Sequence, residues 1–122
     1  MAKNRVVGQA RVTVSSLGLL DTDGQTTIEI GGPKRDAVQG DYQAGSWRET
    51  TEPSKIECSI LVKENTSLSA VRAVEDDTIT VEFDTGQTFI VRNGYSSEVP
   101  SVATNDGKAK IVFGGPPAEE ML

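Results

Sequence analysis

The chain has 122 residues, of which 36% are apolar and 5% aromatic, and it carries 12 glycines; such a composition suits one turn-rich β domain with a small core better than a helical bundle. Its 12 Lys and Arg face 18 Asp and Glu, giving a net charge of −6 with no histidine. That balance argues against a module that grips nucleic acid by neutralising phosphates, and it leaves no imidazole for a nucleophilic triad or a metal centre.

Val6 to Val14 reads as a first strand, in which Arg11-Val12-Thr13-Val14 alternates. Ser15 to Gly24 is a loop whose Leu17, Leu19 and Leu20 are unusually apolar for a turn; they either fold onto the core or form a contact patch for another subunit. Gln25 to Ile30 is a second strand. Gly31 to Thr50 then shows neither a helical nor a strand period and reads as a long Gly-rich loop, although it holds Tyr42 and the sole tryptophan, Trp47. Loops of this length are functional or disordered, and a disordered linker seldom carries such a ring. Trp47 is expected either on its own domain or on a partner surface.

Ser54 to Val62 is a third strand, with Ile56, Cys58 and Ile60 on one face. Leu68, Val71 and Val74 recur at three-residue spacing after the capping oxygens of Asn65-Thr66-Ser67, predicting one short helix near Thr66 to Val74. The most regular stretch follows. Ile79, Val81 and Phe83 alternate with Thr78, Thr80 and Glu82; Asp84-Thr85-Gly86 supplies a turn; Phe89 and Val91 alternate with Thr88, Ile90 and Arg92. This is a β-hairpin with one apolar and one Thr-rich face, closed by a second turn signal at Asn93-Gly94. Ser97 to Ala103 is a weak strand interrupted by Pro100, Asn105-Asp106-Gly107 is a turn, and Lys108 to Phe113 is the last strand. Residues 114–122 read as a flexible tail by composition. The expected fold is mainly β: a small antiparallel sandwich or barrel with one short α-helix, in a single domain over residues 1–122.

Enzymatic and cofactor signals fail on inspection. Cys58 sits in an apolar alternating run and reads as a small core hydrophobe, without a basic partner to activate it. Asp21-x-Asp23-Gly24 lacks the spacing and closing Glu of a calcium loop, and Gly31-Gly32-Pro33-Lys34 lacks the spacing of a phosphate cradle. Asp76 and Asp77 are adjacent and would face opposite ways on a strand. The expectation is therefore no enzyme, no cofactor and no metal. With no apolar run near the length of a membrane span and no visible signal peptide, a soluble protein made in the cytoplasm is expected, without membrane insertion.

The order of elements, with several loosely kept segments, resembles the Mu-type phage tail tube proteins. The matching pieces are Asn4-Arg5 to Gly8, Gly45-Ser46-Trp47-Arg48-Glu49-Thr50, the stretch LSAVRAVEDDTITVEF, Gly86 to Tyr95, and Gly107 to Phe113. The resemblance implies a fold similar to type VI secretion tube proteins. It also implies six-fold rings whose hairpins join into one inner barrel, stacked into a hollow virion tail tube, with the long loop reaching a neighbouring subunit or ring. Partners would be further copies of the chain and sheath or tail completion proteins. DNA would pass through the lumen without specific binding. On this reading Thr78, Thr80, Glu82 and Thr88 face the lumen, with Arg92 there or pairing across subunits, along a net-acidic wall. Arg35, Tyr42, Trp47 and Arg48 are expected at subunit contacts. The competing readings are the tube of a contractile bacteriocin-like or secretion particle, and a monomeric β-barrel binding module.

Overall fold

The computed structural model describes residues 4–121. Eleven strands and one helix follow in chain order: β1 Ala10–Val14, β2 Gly18–Leu19, β3 Thr27–Glu29, β4 Gly32–Val38, β5 Ser46–Glu52, β6 Ser54–Leu61, α1 Leu68–Arg72, β7 Asp77–Phe83, β8 Thr88–Ser96, β9 Ser101–Ala103, β10 Lys108–Gly115 and β11 Glu119–Met121. Nine strands form one antiparallel sheet in the order β2-β1-β7-β8-β10-β6-β3, with β11 added to β8 and β9 to β10; β4 and β5 pair with each other. The mainly β expectation, with antiparallel pairing and a single short helix, is met.

Alternation decides where the core sits. Val12 and Val14 of β1, Ile79 and Val81 of β7, and Val91 of β8 are buried together with Ile56, Cys58 and Ile60 of β6 and Ala109, Ile111 and Phe113 of β10. The sheet thus folds over on itself, one wall being β1-β7-β8 and the other β10-β6. The bend lies in β8. Asp77 pairs with Gly94 while Ile79 pairs with Val91, so Arg92 and Asn93 together stand opposite Thr78, and Asn93 takes φ 57°. A bulge of this kind kinks its strand and increases local twist. Beyond it, Tyr95 and Ser96 leave β7 and pair with Gly114 and Phe113 of β10. The Asn93-Gly94 pair is therefore a bulge within β8 and not the expected turn; Asn tolerates a left-handed backbone equally well in either role.

Helix α1 is shorter than expected and closes one end of the core. Ser67 caps it by accepting a bond from the Ala70 N–H at 3.3 Å, and Val71 and Val74 are buried against the walls. β1 begins at Ala10, later than the apolar pair Val6-Val7 suggested, because those two side chains are exposed. β2 forms within the Leu-rich loop, and of the expected strand over Ser97 to Ala103 only β9 is formed.

Two further differences matter for function. Residues 114–121 are not a free tail: β10 runs on to Gly115, and β11 adds to β8 with Glu119 opposite Ile90 and Met121 opposite Thr88; Leu122, the last residue of the expected tail, lies outside the described residues. The stretch read as a long loop is a hairpin arm, β4 against β5, from Gly32↔Glu52 to Val38↔Ser46. The register of β3 on β6, ending at Glu29↔Lys55, carries across the break into the arm. The arm is one continuation of the β3–β6 ladder. No apolar alternation marks it because nearly every arm residue on both faces is exposed.

Candidate functional site: a polar sheet face, a projecting arm and a leucine groove

The outward face of β1, β7, β8 and β11 mixes threonines with charged side chains and two apolar ones, Ile90 and Met121. Its pairing aligns Thr13, Thr80, Ile90 and Glu119 in one row across the strands, and Arg11, Glu82, Thr88 and Met121 in the next. Thr78 and Arg92 lie beyond them, beside the bulge. Thr78, Thr80 and Thr88 are half-buried among their neighbours, while Glu82 and Arg92 are exposed. Arg92 Nε donates to Glu119 Oε2 at 3.0 Å, tying the last strand to the face. The five residues singled out in the sequence thus share one face, and helix α1 supplies core residues on the other side of this sheet.

The face extends further than the sequence suggested, taking in Arg11 and Thr13 from β1 and Glu119 and Met121 from β11. The β1 pair was legible in its alternation; the β11 pair was hidden by reading the tail as flexible. The addition changes the electrostatics. Arg11 and Arg92 offset Glu82 and Glu119, so the face is charge-balanced and not net-acidic as the overall charge had implied.

The arm carries the other group of residues. Arg35 lies over the Trp47 ring with its guanidinium carbon 5.3 Å from the ring centroid, and its NH2 group is 3.3 Å from Glu49 Oε1. This stack arises from the register: Arg35↔Glu49 and Ala37↔Trp47 are cross-strand neighbours on one face, with Arg35 diagonal to Trp47. Arg48 pairs with Asp36 and so lies on the opposite face. Tyr42 is at the tip and fully exposed. Trp47 remains 58% exposed despite its stack, so the arm alone does not bury its largest ring.

The arm's base is fixed. Ser54 Oγ donates to the carbonyls of Pro116 at 2.7 Å and Gly115 at 3.3 Å, and the Ala118 N–H donates to the Ile30 carbonyl at 2.8 Å. At the other end of β6 lies a groove of about 370 Å³ lined by Leu17, Leu19, Leu20, Ile60, Ala70 and Val71, with Asp21 and Lys63 at its rim. Leu17 and Leu20 lean on the core, whereas Leu19 is 64% exposed. Asp21 and Lys63 form an ion pair with each other.

A family model described as phage tail tube protein matches residues 3–120. The chain belongs to the phage tail tube protein family. No curated protein sequence matches it. Its fold is similar to three solved structures of tube and terminator assemblies, each covering nearly all of this tail tube protein. One is the PVC sheath/tube terminator of an extracellular contractile injection system in the extended state, at 13% identity, 100% and 99% coverage of this chain and that one, and a TM-score of 0.67. The PVC sheath-tube complex in the extended state matches at 14% identity, 99% and 93% coverage and a TM-score of 0.68. The cap of the anti-feeding prophage, its tube-terminating cap, matches at 11% identity, 99% and 94% coverage and a TM-score of 0.66. At these identities the likeness is one of fold.

Asp84, in the β7–β8 turn, accepts from the Gly8 N–H at 3.2 Å and from Arg5 at 3.1 Å, pinning the segment before β1. The Gly8 amide and the Arg5 guanidinium hold its carboxyl below the ordinary value. Cys58 is buried, and that burial pushes its thiol up to about 12, so at neutral pH it is an inert part of the core.

Proposed function

We propose that copies of this tail tube protein close laterally into six-fold rings, stack into a hollow tube and conduct DNA into the host, with the β1-β7-β8-β11 face lining the lumen. The observation that carries this reading is the two-sidedness of that sheet. One side is apolar and filled by the core; the other is a mostly polar, charge-balanced surface with Thr78, Thr80, Glu82, Thr88 and Arg92 on it, interrupted by Ile90 and Met121. Its four strands alternate in direction, from β1 through β7 and β8 to β11. In a cyclic ring, β11 of one copy therefore runs antiparallel to β1 of the next; β2 and Leu20 already cover β1 from Val12 to Val14, so joining takes place at its Ala10 end and shortens the exposed strand edges that a lone sheet would have to shield.

Such a wall suits passage of a polyanion. Threonines wet the surface, and balanced charges give no net attraction that would hold phosphates. The role is mechanical and not enzymatic. The partners are further copies of the chain together with sheath or tail completion proteins, and the site of action is the virion tail, after synthesis in the host bacterial cytoplasm. The tube of a contractile secretion or bacteriocin-like particle is the second reading, favoured by fold neighbours that belong to contractile injection systems.

Mass in solution and negative-stain electron microscopy across a concentration series test the proposal. Rings or hollow tubes are expected as concentration rises. A monomer that never assembles, even when mixed with preformed tail fragments of its own particle, would overturn it. Co-assembly with a sheath protein separates contractile from non-contractile particles.

A further inference from the structure

The arm and the leucine groove lie at opposite ends of the same strand. The arm leaves where β6 begins at Ser54, and the groove is floored by Ile60 and Leu61 where β6 ends. At about 3.3 Å per residue the two sites are about 25 Å apart along the strand. The arm continues the β3–β6 ladder away from Leu61 and is exposed on both faces, so it does not fold back over the body.

The two surfaces are also complementary. The arm offers Trp47 beside the exposed ion pair Arg35–Glu49. The groove offers Leu17, Leu19 and Leu20 beside the ion pair Asp21–Lys63. Each is an apolar patch flanked by one positive and one negative charge, and neither completes its burial within its own copy.

We infer that the groove is the receptor for the arm of a second copy: Trp47 seats on Leu17, Leu19 and Leu20, Arg35 pairs with Asp21, and Glu49 pairs with Lys63. This rests on the tube reading and adds the address at which the arm docks. Exchange of the two ion pairs fixes orientation, since rotating the arm by half a turn would place like charges together. The contact is heterologous, because arm and groove are different surfaces at opposite ends. A heterologous contact that does not close on itself propagates without limit along its axis.

A paired-cysteine experiment on the full chain tests the address. The double variant Trp47→Cys/Leu19→Cys is concentrated, oxidised mildly and run on a denaturing gel without reductant, with samples of the same material viewed by electron microscopy. Cys58 stays silent because it is buried. A ladder of dimers, trimers and longer species is expected, absent from either single variant. Assembled particles that give no ladder would overturn the docking address while leaving the tube reading intact. Absence of particles from the wild-type chain as well would count against the tube reading, and with it this one. Leu19→Asp provides the second arm of the test: its exposed position leaves the fold intact, and loss of long tubes is expected. Tubes of normal length from this variant would overturn the proposal.

Discussion

A Cβ placed on Gly31 would stand 2.8 Å from the carbonyl carbon of Pro53, and equally close to Glu52 O and Ser54 N. Gly31 also takes φ 72°. The two strands cross tightly at the base of the arm, with no room for a side chain, and Gly31 supplies both the missing atom and the left-handed backbone. Replacing it with alanine forces a strained conformation worth about 1–3 kcal/mol and pushes against backbone that cannot rotate away. Gly31→Ala is expected to lower the urea midpoint and to speed amide exchange in β4 and β5. Unchanged exchange in the arm would show that its base is looser than the geometry states.

The two faces of the β7–β8 hairpin should differ sharply in their cost of substitution. Ile79, fully buried on the inner face of that hairpin, loses about 2–5 kcal/mol on replacement by alanine. Thr80→Ala, on the polar face, costs about 1 kcal/mol at most. Chemical denaturation of both variants checks this, and equal losses would mean that the Thr face is packed in the isolated subunit.

Acid sensitivity follows from three carboxylates. The Gly8 N–H and Arg5 hold Asp84 low, the Gln25 amide and Lys108 hold Asp23 low, and Lys110 holds Glu57 low. Groups with depressed folded values contribute stability that is fully present above the unfolded carboxylate range, near pH 4, and is lost as pH falls through the folded values. Lys110, raised by Glu57, contributes below its unfolded value and loses that contribution only in strong alkali. Urea midpoints should therefore be flat from about pH 5 to 9 and fall below pH 4. Asp84→Asn should shallow the acid limb and free the segment around Gly8.

Charge on the polar face should act on DNA transit more than on assembly. Thr80→Lys together with Glu82→Lys turns a balanced face positive while leaving the buried side of β7 untouched. Tubes are expected to form in normal yield, and DNA release should slow, most strongly at low salt where phosphate attraction is least screened. Normal release kinetics at low salt would place this face elsewhere than the channel.

What the sequence made legible was the part with one wet and one dry face. The period of two in Ile79, Val81, Phe89 and Val91 marks the hairpin because burial on one side alone demands it. The arm has solvent on both sides, so no such period exists, and Gly31, Gly32, Gly40 and Gly45 make it look like a loop. The relation of Arg35 to Trp47 then depends on a register that only the paired strands define. The pairing of Glu119 with Ile90 joins residues remote in the chain and leaves no local trace. Asn93-Gly94 reads as a turn for a different reason: the left-handed backbone that serves a turn serves a bulge as well.

The most direct test of the account is a helical reconstruction of the assembled particle by cryo-electron microscopy, resolved to side chains. The account predicts a hollow tube whose inner wall carries Thr78, Thr80, Glu82, Thr88 and Arg92 of every copy. A wall lined instead by the opposite sheet, through Lys55, Glu57 and Lys110, or a filament without a lumen, would contradict it.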